Sequence, residues 1–240
     1  MSEWLPRLAE GAIGTLALSE AHGDWDLQNI MATAKHEGDV VYLSGQKLFV
    51  AWAPSADIVI ASVMLDGKPA LVLLTAQDVA GRLRREAIID ETKRSFALSL
   101  DGLAVSRAAL FDIGRTSSTL AHIEKAANLL QSAEMCGGSQ SVIDYTIRYL
   151  QTRKQFGKLI GEYQALKHPT VDAYVEYEKA RSHLYSAANS FSDQGVGEIA
   201  VRMAKAAADA TYSFAADRAI QFHGGFGFTF ECDAQLYLRR

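Results

Sequence analysis

Apolar and polar positions follow two different rhythms along this chain, and the change falls near residue 105. Before it, short apolar blocks stand between turn signals: "VVYLSG" at 40 to 45, "ADIVIASVML" at 56 to 65, and "ALVLLTA" at 70 to 76, the last two separated by "DGKP". Blocks of this length bounded by Gly, Asp and Pro predict strands joined by tight turns. The stretch "HEGDVVYLSGQKLFVAW" predicts a hairpin, with Gly38-Asp39 and Ser44-Gly45 as its turn residues. This half is expected to be mostly antiparallel β.

Beyond residue 105, Ala, Leu and long polar residues dominate, and apolar positions recur at helical spacing: Leu120, Ile123, Ala127 and Leu130, then Ile143, Ile147 and Leu150. Thr116 to Thr119 are the expected N-cap residues of this first helix. The loop "TRKQFGKLIG" at 152 to 161 ends it. A second helix is predicted over 162–191, bent or restarted at Pro169, whose missing N–H interrupts the ladder. After the break "SDQGVG", a third is predicted over 198–222, stopped by Gly224-Gly225. Three long helices on short connections predict an antiparallel bundle. The expected fold is α+β: an antiparallel β-barrel or sandwich over 1–105, followed by a helical bundle over 106–240.

Composition narrows the function classes. Apolar residues make up 49% of the chain, enough for a substantial core, and 24 Lys and Arg against 28 Asp and Glu leave a net charge of -4. With no basic stripe longer than "RLRRE" at 82 to 86, nucleic acid is not an expected partner. No apolar run reaches the roughly 18 residues of a membrane span, and "MSEWLPRLAEG" has no signal-peptide pattern, so no membrane partner and a cytoplasmic location are expected. Cys136 and Cys232 stand far apart without CxxC spacing or a histidine cluster, which argues for ordinary thiols and against a metal site. No Gly-x-Ser-x-Gly elbow supports a hydrolase.

The segment "QFHGGFGFTF" at 221 to 230 is unlike its surroundings, because glycine costs a helix about 1 kcal/mol per residue. Together with three other segments it carries a family resemblance. "IDYTIRYLQTRKQFGKLIGEYQALKH" is similar to the helix, Arg-x-x-Phe-Gly loop and Gln-containing helix start of the acyl-CoA dehydrogenase family, and "AIQFHGGFGFTFE" to its Gln-x-x-Gly-Gly-x-Gly segment. "LALSE" stands where the family has Ala-Leu-Thr-Glu, and "GDVVYLSGQKLFVAWAPSADIVIAS" resembles its middle barrel. The likeness runs from about residue 5 to 240, with the family's N-terminal helical domain absent from it.

The resemblance implies FAD as cofactor, an acyl-CoA substrate and α,β-dehydrogenation. It also implies oligomers, in which one subunit's bundle completes the flavin site of its neighbour, and electron transfer to an electron-transfer flavoprotein. Carried over residue by residue, Arg153, Phe156, Gln164, Gln221, Gly224 and Gly225 form the bundle half of a flavin site, and Ser19 and Phe49 belong to the barrel half. A phosphate is held by N–H groups that a Cβ-free backbone brings close and by a planar cation, which is the physical sense of the glycines and the arginine. His223 is read as acting through its neighbours, and Glu231 matches a position without a catalytic role.

The barrel half departs from the family. Asp24-Trp25-Asp26 replaces Gly-Ser-Asp, setting a carboxylate beside the pyrophosphate position, where like charge repels. Phe49-Val50-Ala51-Trp52 replaces Trp-Ile-Thr-Asn, so Ala51 offers no hydroxyl to the flavin. The family's base is a Glu that lies past the position of Arg240 in most members and at the position of Ala127 in others; Glu124, one turn away, points elsewhere, and no catalytic residue is assigned. Lys125 and Asn128 occupy positions that contact the CoA arm in the family. The tail "FECDAQLYLRR" resembles the branch acting on sterol and bile-acid thioesters, some of which are heteromers. The expectation is a subunit that completes the flavin site of a paralogous partner bearing the Glu, with an independent homo-oligomeric acyl-CoA dehydrogenase, or a non-catalytic structural homologue without flavin, as the alternatives.

Overall fold

The β-rich half begins, after the short helix α1 (Trp4–Ala9), with β1 (Gly14–Ala17), β2 (Thr33–Glu37), β3 (Val40–Ser44), β4 (Gln46–Ala51), β5 (Ile58–Leu65) and β6 (Lys68–Thr75). A single helical turn, α2 (Ala76–Val79), leads to β7 (Leu83–Arg85), β8 (Ser95–Ser99) and β9 (Leu103–Ser106). The computed structural model describes residues 3–240. Two compact units divide after His122.

In the first unit a six-stranded sheet runs β1-β5-β2-β3-β9 with β6 on β5, and a second sheet of three strands runs β4-β8-β7. β1 and β2 pair with β5 in parallel, so the large sheet is mixed and not simply antiparallel. Asp66 and Gly67 close the β5–β6 hairpin with positive φ of 49° and 72°, the geometry of a two-residue primed turn. Gly38-Asp39 closes β2–β3 as the sequence predicts.

Ser44-Gly45 does something else: β4 does not fold back on β3 but leaves for the second sheet. Gly45 sits at φ 115°, and a Cβ there would stand 2.9 Å from Ala32 Cα, so a glycine is needed at this corner. The sheets meet where Ser19 bridges Leu48, and they curl into a half-barrel around Val41, Leu43, Val59, Val63, Val72, Leu74, Leu98 and Leu100.

The second unit is built on α3 (Ile113–Leu150), α4 (Gln164–Asn189) and α5 (Val196–His223), with the short α6 (Ala234–Arg239) after them. α3 starts earlier than the sequence reading placed it. The Asp112 carboxylate accepts the Gly114 N–H at 2.9 Å, whereas Thr116 and Thr119 lie inside the helix with their hydroxyls on the carbonyls of Asp112 and Arg115. Local Ser and Thr bonds of this kind satisfy either a cap or a helix interior, so composition alone did not separate them.

α4 runs unbroken through Pro169. Near a helix start the missing N–H removes one hydrogen bond and the rest of the ladder continues. Alanines bring α4 and α5 together, with Ala173 and Ala180 packed in one cluster with Ala208, Ala215 and Ala219. Between α3 and α4 a small hairpin, β10 (Lys154–Gln155) and β11 (Lys158–Leu159), turns through Phe156 and Gly157, both at positive φ.

Candidate functional site

Four of the six bundle residues singled out in the sequence line one cleft of about 750 Å³: Arg153, Phe156, Gly224 and Gly225. The β10–β11 turn pushes Phe156 outward until it is 92% exposed, and Tyr149, Tyr163, Phe222 and Phe226 supply further aromatic wall. Arg153 is exposed at the end of α3, and among the described residues its guanidinium has no acidic partner. Lys158 lies over the Tyr163 ring at 4.1 Å and adds a second cation to this neighbourhood. Gln164, the first residue of α4, and Gln221, in the last turn of α5, are exposed and stand outside the cleft lining.

The glycines of "HGGFG" serve three different ends. Gly224 caps α5 at φ 63°, a conformation that other residues rarely adopt. Gly227 is a packing glycine, because a Cβ there would stand 2.4 Å from the Ile220 carbonyl oxygen. Gly225 has no positive φ, and a Cβ would meet nothing within 4 Å. The fold does not require glycine at 225, so its missing side chain leaves room and bare backbone in the cleft for something else.

His223 is buried at 4% exposure, with Nδ1 at 2.7 Å from the Ala219 carbonyl and its ring stacked on Tyr145 and Tyr149. It also lines the cleft directly, where the sequence reading had it acting through its neighbours. Burial pushes its pKa below the ordinary histidine value, with the Ala219 hydrogen bond acting the other way. Tyr145 bonds Cys232 Sγ at 3.5 Å, and that contact, with burial, pushes its hydroxyl up to about 12.

On the barrel, Phe49 and Ser19 are both exposed. Phe49 stands in a bulge of β4 at φ 55°, its N–H held by the Glu86 carboxylate at 2.9 Å, and Trp52 follows at φ 53° beneath the Arg94 guanidinium. Positive φ at two bulky aromatics is strain of a kind concentrated at functional positions. The Asp24 carboxylate is taken up by its own loop, accepting from Asn29 Nδ2 at 2.6 Å and the Asp26 N–H at 2.9 Å, and these bonds hold it below the usual carboxylate range. It stays charged at this edge, with Trp25 89% exposed beside it. Beneath them Lys47, fully buried, bonds Glu20 and the Ser62 hydroxyl, and Glu20 also accepts the N–H groups of Met31 and Ala32.

Against known sequences, the profile "Acyl-CoA dehydrogenase, C-terminal domain" matches residues 102–240. The chain belongs to the acyl-CoA dehydrogenase family. FadE12, an acyl-CoA dehydrogenase of Mycobacterium bovis, is 29% identical over 95% of this chain and 62% of its own length. IpdE2, an acyl-CoA dehydrogenase of Mycolicibacterium smegmatis, is 36% identical over 48% of this chain and 35% of its own. Butyryl-CoA dehydrogenase from Megasphaera elsdenii superposes with a TM-score of 0.87 at 21% identity, over 98% of this chain and 64% of the other, which shows the fold. The chain thus spans about three fifths of the FadE12 length.

Acyl-CoA dehydrogenases are FAD-linked oxidoreductases, and the two regions fit that cofactor unequally. The bundle cleft has the volume of a nucleotide site, an unpaired arginine for phosphate, and the Gly225 opening. The barrel keeps an exposed aromatic at Phe49 but offers a methyl at Ala51 and a fixed carboxylate at Asp24. Lys125, which the family resemblance put at a CoA-arm position, is engaged internally, with Glu198 at 3.0 Å and the Phe191 ring at 4.8 Å. Glu124 and Glu231 are exposed, and Ala127 and Asn128 are half-buried. Sequence reasoning missed Tyr149, Tyr163, Phe222, Phe226 and the inward face of His223. The tyrosines sit beside the recognised loop, and only their shared exposure to one cavity singles them out.

Proposed function

We propose that this chain is the completing subunit of an FAD-linked acyl-CoA dehydrogenase, its bundle cleft holding the adenosine diphosphate half of the cofactor while a paralogous partner's barrel seats the flavin ring. The reaction is α,β-dehydrogenation of an acyl-CoA thioester in the cytoplasm, with electrons passed on to an electron-transfer flavoprotein. Bound flavin supplies the hydride acceptor. Within this chain, Arg153 neutralises the pyrophosphate, the Gly224-Gly225 backbone allows close approach, and Phe156 and the tyrosines shield the site from water. On this reading the partner supplies the carboxylate that removes the α-proton, and what supports it is Ala127 at the bundle position that bears the Glu in some relatives, with Glu124 exposed one turn away.

The observation that carries this reading is the open space at Gly225 in a cleft with a free arginine, set against a barrel face whose charged groups are already bound within the chain. The test is the visible spectrum of the chain purified alone and after co-expression with a paralogue carrying Glu at the position of Ala127. A flavin band near ~450 nm only in the co-purified complex supports the completing role. A second reading, a self-sufficient homo-oligomer, draws on Phe49, exposed and able to stack on a ring. Yellow protein from the single chain that reduces a dye with acyl-CoA would establish it. Colourless protein under both conditions would remove the flavin altogether.

A further inference from the structure

The cleft holds a polar group that neither the phosphate-binding arginine nor the glycines account for. His223 Nδ1 faces the Ala219 carbonyl, which can only accept, so Nδ1 carries the hydrogen. In a neutral imidazole the other nitrogen is then a bare acceptor, and burial of the ring favours the neutral form. Among the described residues Nε2 has no partner. The described side-chain atom sealed from solvent without a partner is Gln235 Oε1, so Nε2 is not sealed, and His223 is one of the residues that line the cleft. The rings of Tyr145 and Tyr149, with centroids at 4.9 and 4.1 Å, set the imidazole plane, and the Nδ1 bond sets its rotation within that plane.

We propose that His223 Nε2 is a selective acceptor that takes a hydrogen bond from an N–H or O–H donor on the adenosine half of the bound dinucleotide, so that donor and phosphate ends are sorted within one cleft. Phosphate oxygens are acceptors and cannot pair with Nε2, which leaves them to Arg153. Adenosine carries donors of two kinds, the exocyclic amine and the ribose hydroxyls. This inference rests on the nucleotide reading of the cleft, and His223 adds orientation to it.

The experiment is titration calorimetry on the full chain with ADP, IDP, 2′-deoxy-ADP and 3′-deoxy-ADP, for wild type, Arg153→Ala, His223→Phe and His223→Gln. Wild type should bind ADP more tightly than one of the three analogues, which names the donor. His223→Phe keeps a stacking ring without the acceptor and should weaken ADP binding about five- to tenfold, with the preference over that analogue gone. His223→Gln, with an acceptor oxygen, should recover part of both, and it serves as the second variant should the phenylalanine variant fold poorly.

If Arg153→Ala loses ADP while both His223 variants keep affinity and preference, the role of His223 is overturned and the nucleotide cleft stands. If wild type distinguishes none of the analogues, the role is likewise overturned. If wild type binds none of the four, either alone or in the flavin-free complex with its co-expressed partner, the nucleotide reading itself fails and takes the inference with it.

Discussion

The bundle cleft and the barrel face are both built from residues uncommon in their surroundings, but they leave different things over. At the barrel, Asp24 binds its own loop, Glu86 holds the Phe49 N–H, and Lys47 is sealed against Glu20 and Ser62. In the cleft, among the described residues, Arg153 has no acidic partner, His223 Nε2 has no partner, and Gly225 faces open space. Groups satisfied by the fold answer to stability, whereas groups left unsatisfied after folding are the ones available to a ligand. A motif therefore means less at the barrel, where neighbours have already used its chemistry, than in the bundle.

The largest test of this contrast is Lys47→Ala, which strands a buried carboxylate and should destabilise the protein by about 3–5 kcal/mol in urea unfolding. Replacing both partners, Lys47→Met with Glu20→Gln, should recover part of the loss, because glutamine is neutral and keeps an acceptor for the Met31 and Ala32 N–H groups. A cost below about 1 kcal/mol for the single change would mean that the pair is not sealed. Next comes the pair of glycines. Gly227→Ala must displace the Ile220 carbonyl and should cost about 1–3 kcal/mol of stability. Gly225→Ala should leave stability within about 0.5 kcal/mol while weakening nucleotide binding, and a stability loss equal to that of Gly227→Ala would erase the distinction.

Arg153→Ala should cost about 1.5–3 kcal/mol of nucleotide affinity with no change in melting temperature. Arg153→Lys should recover only part of it, because a point charge lacks the planar fork. The mildest probe is acid. Burial pushes Glu20 up, but the Lys47 bond and the Ala32 and Met31 N–H groups outweigh it and hold the carboxyl below the usual range. That stabilisation is complete above the ordinary glutamate value and is lost as pH falls through the lower folded value. Melting temperatures followed below about pH 4.5 should fall less steeply in the Glu20→Gln variant than in wild type.

Much of the fold was legible in the sequence because two different patterns carried it, apolar blocks between turn residues before residue 105 and helical spacing after it. Apolar blocks marked β3, β5 and β6, the Gly38-Asp39 turn marked the β2–β3 connection, helical spacing marked α3, and the loops and glycines between them bounded α4 and α5. Gly45 was misread because a turn signal reports that the chain bends and not which sheet receives it; the close approach of Ala32 decides that. Pro169 was overweighted because the loss of one hydrogen bond near a helix start is small against 26 residues of helix. In the site, Arg153, Phe156, Gly224 and Gly225 were found through motif order. Gln164 and Gln221 followed from the same motifs but lie outside the cleft lining, since a motif fixes neighbours along the chain and not the direction of a side chain. Lys47 carried no signal, as nothing local distinguishes a buried lysine from a strand-surface one.

Trp4, Trp25 and Trp52 are the chain's tryptophans, and all precede residue 122, while the long helices lie almost wholly beyond it. Tryptophan emission from this protein therefore reports on the barrel alone, with Trp25 in water and Trp52 beneath a guanidinium. Helical circular dichroism reports chiefly on the bundle. One unlabelled sample thus carries two optical channels, and a ligand or partner that changes one and not the other declares which region it has reached.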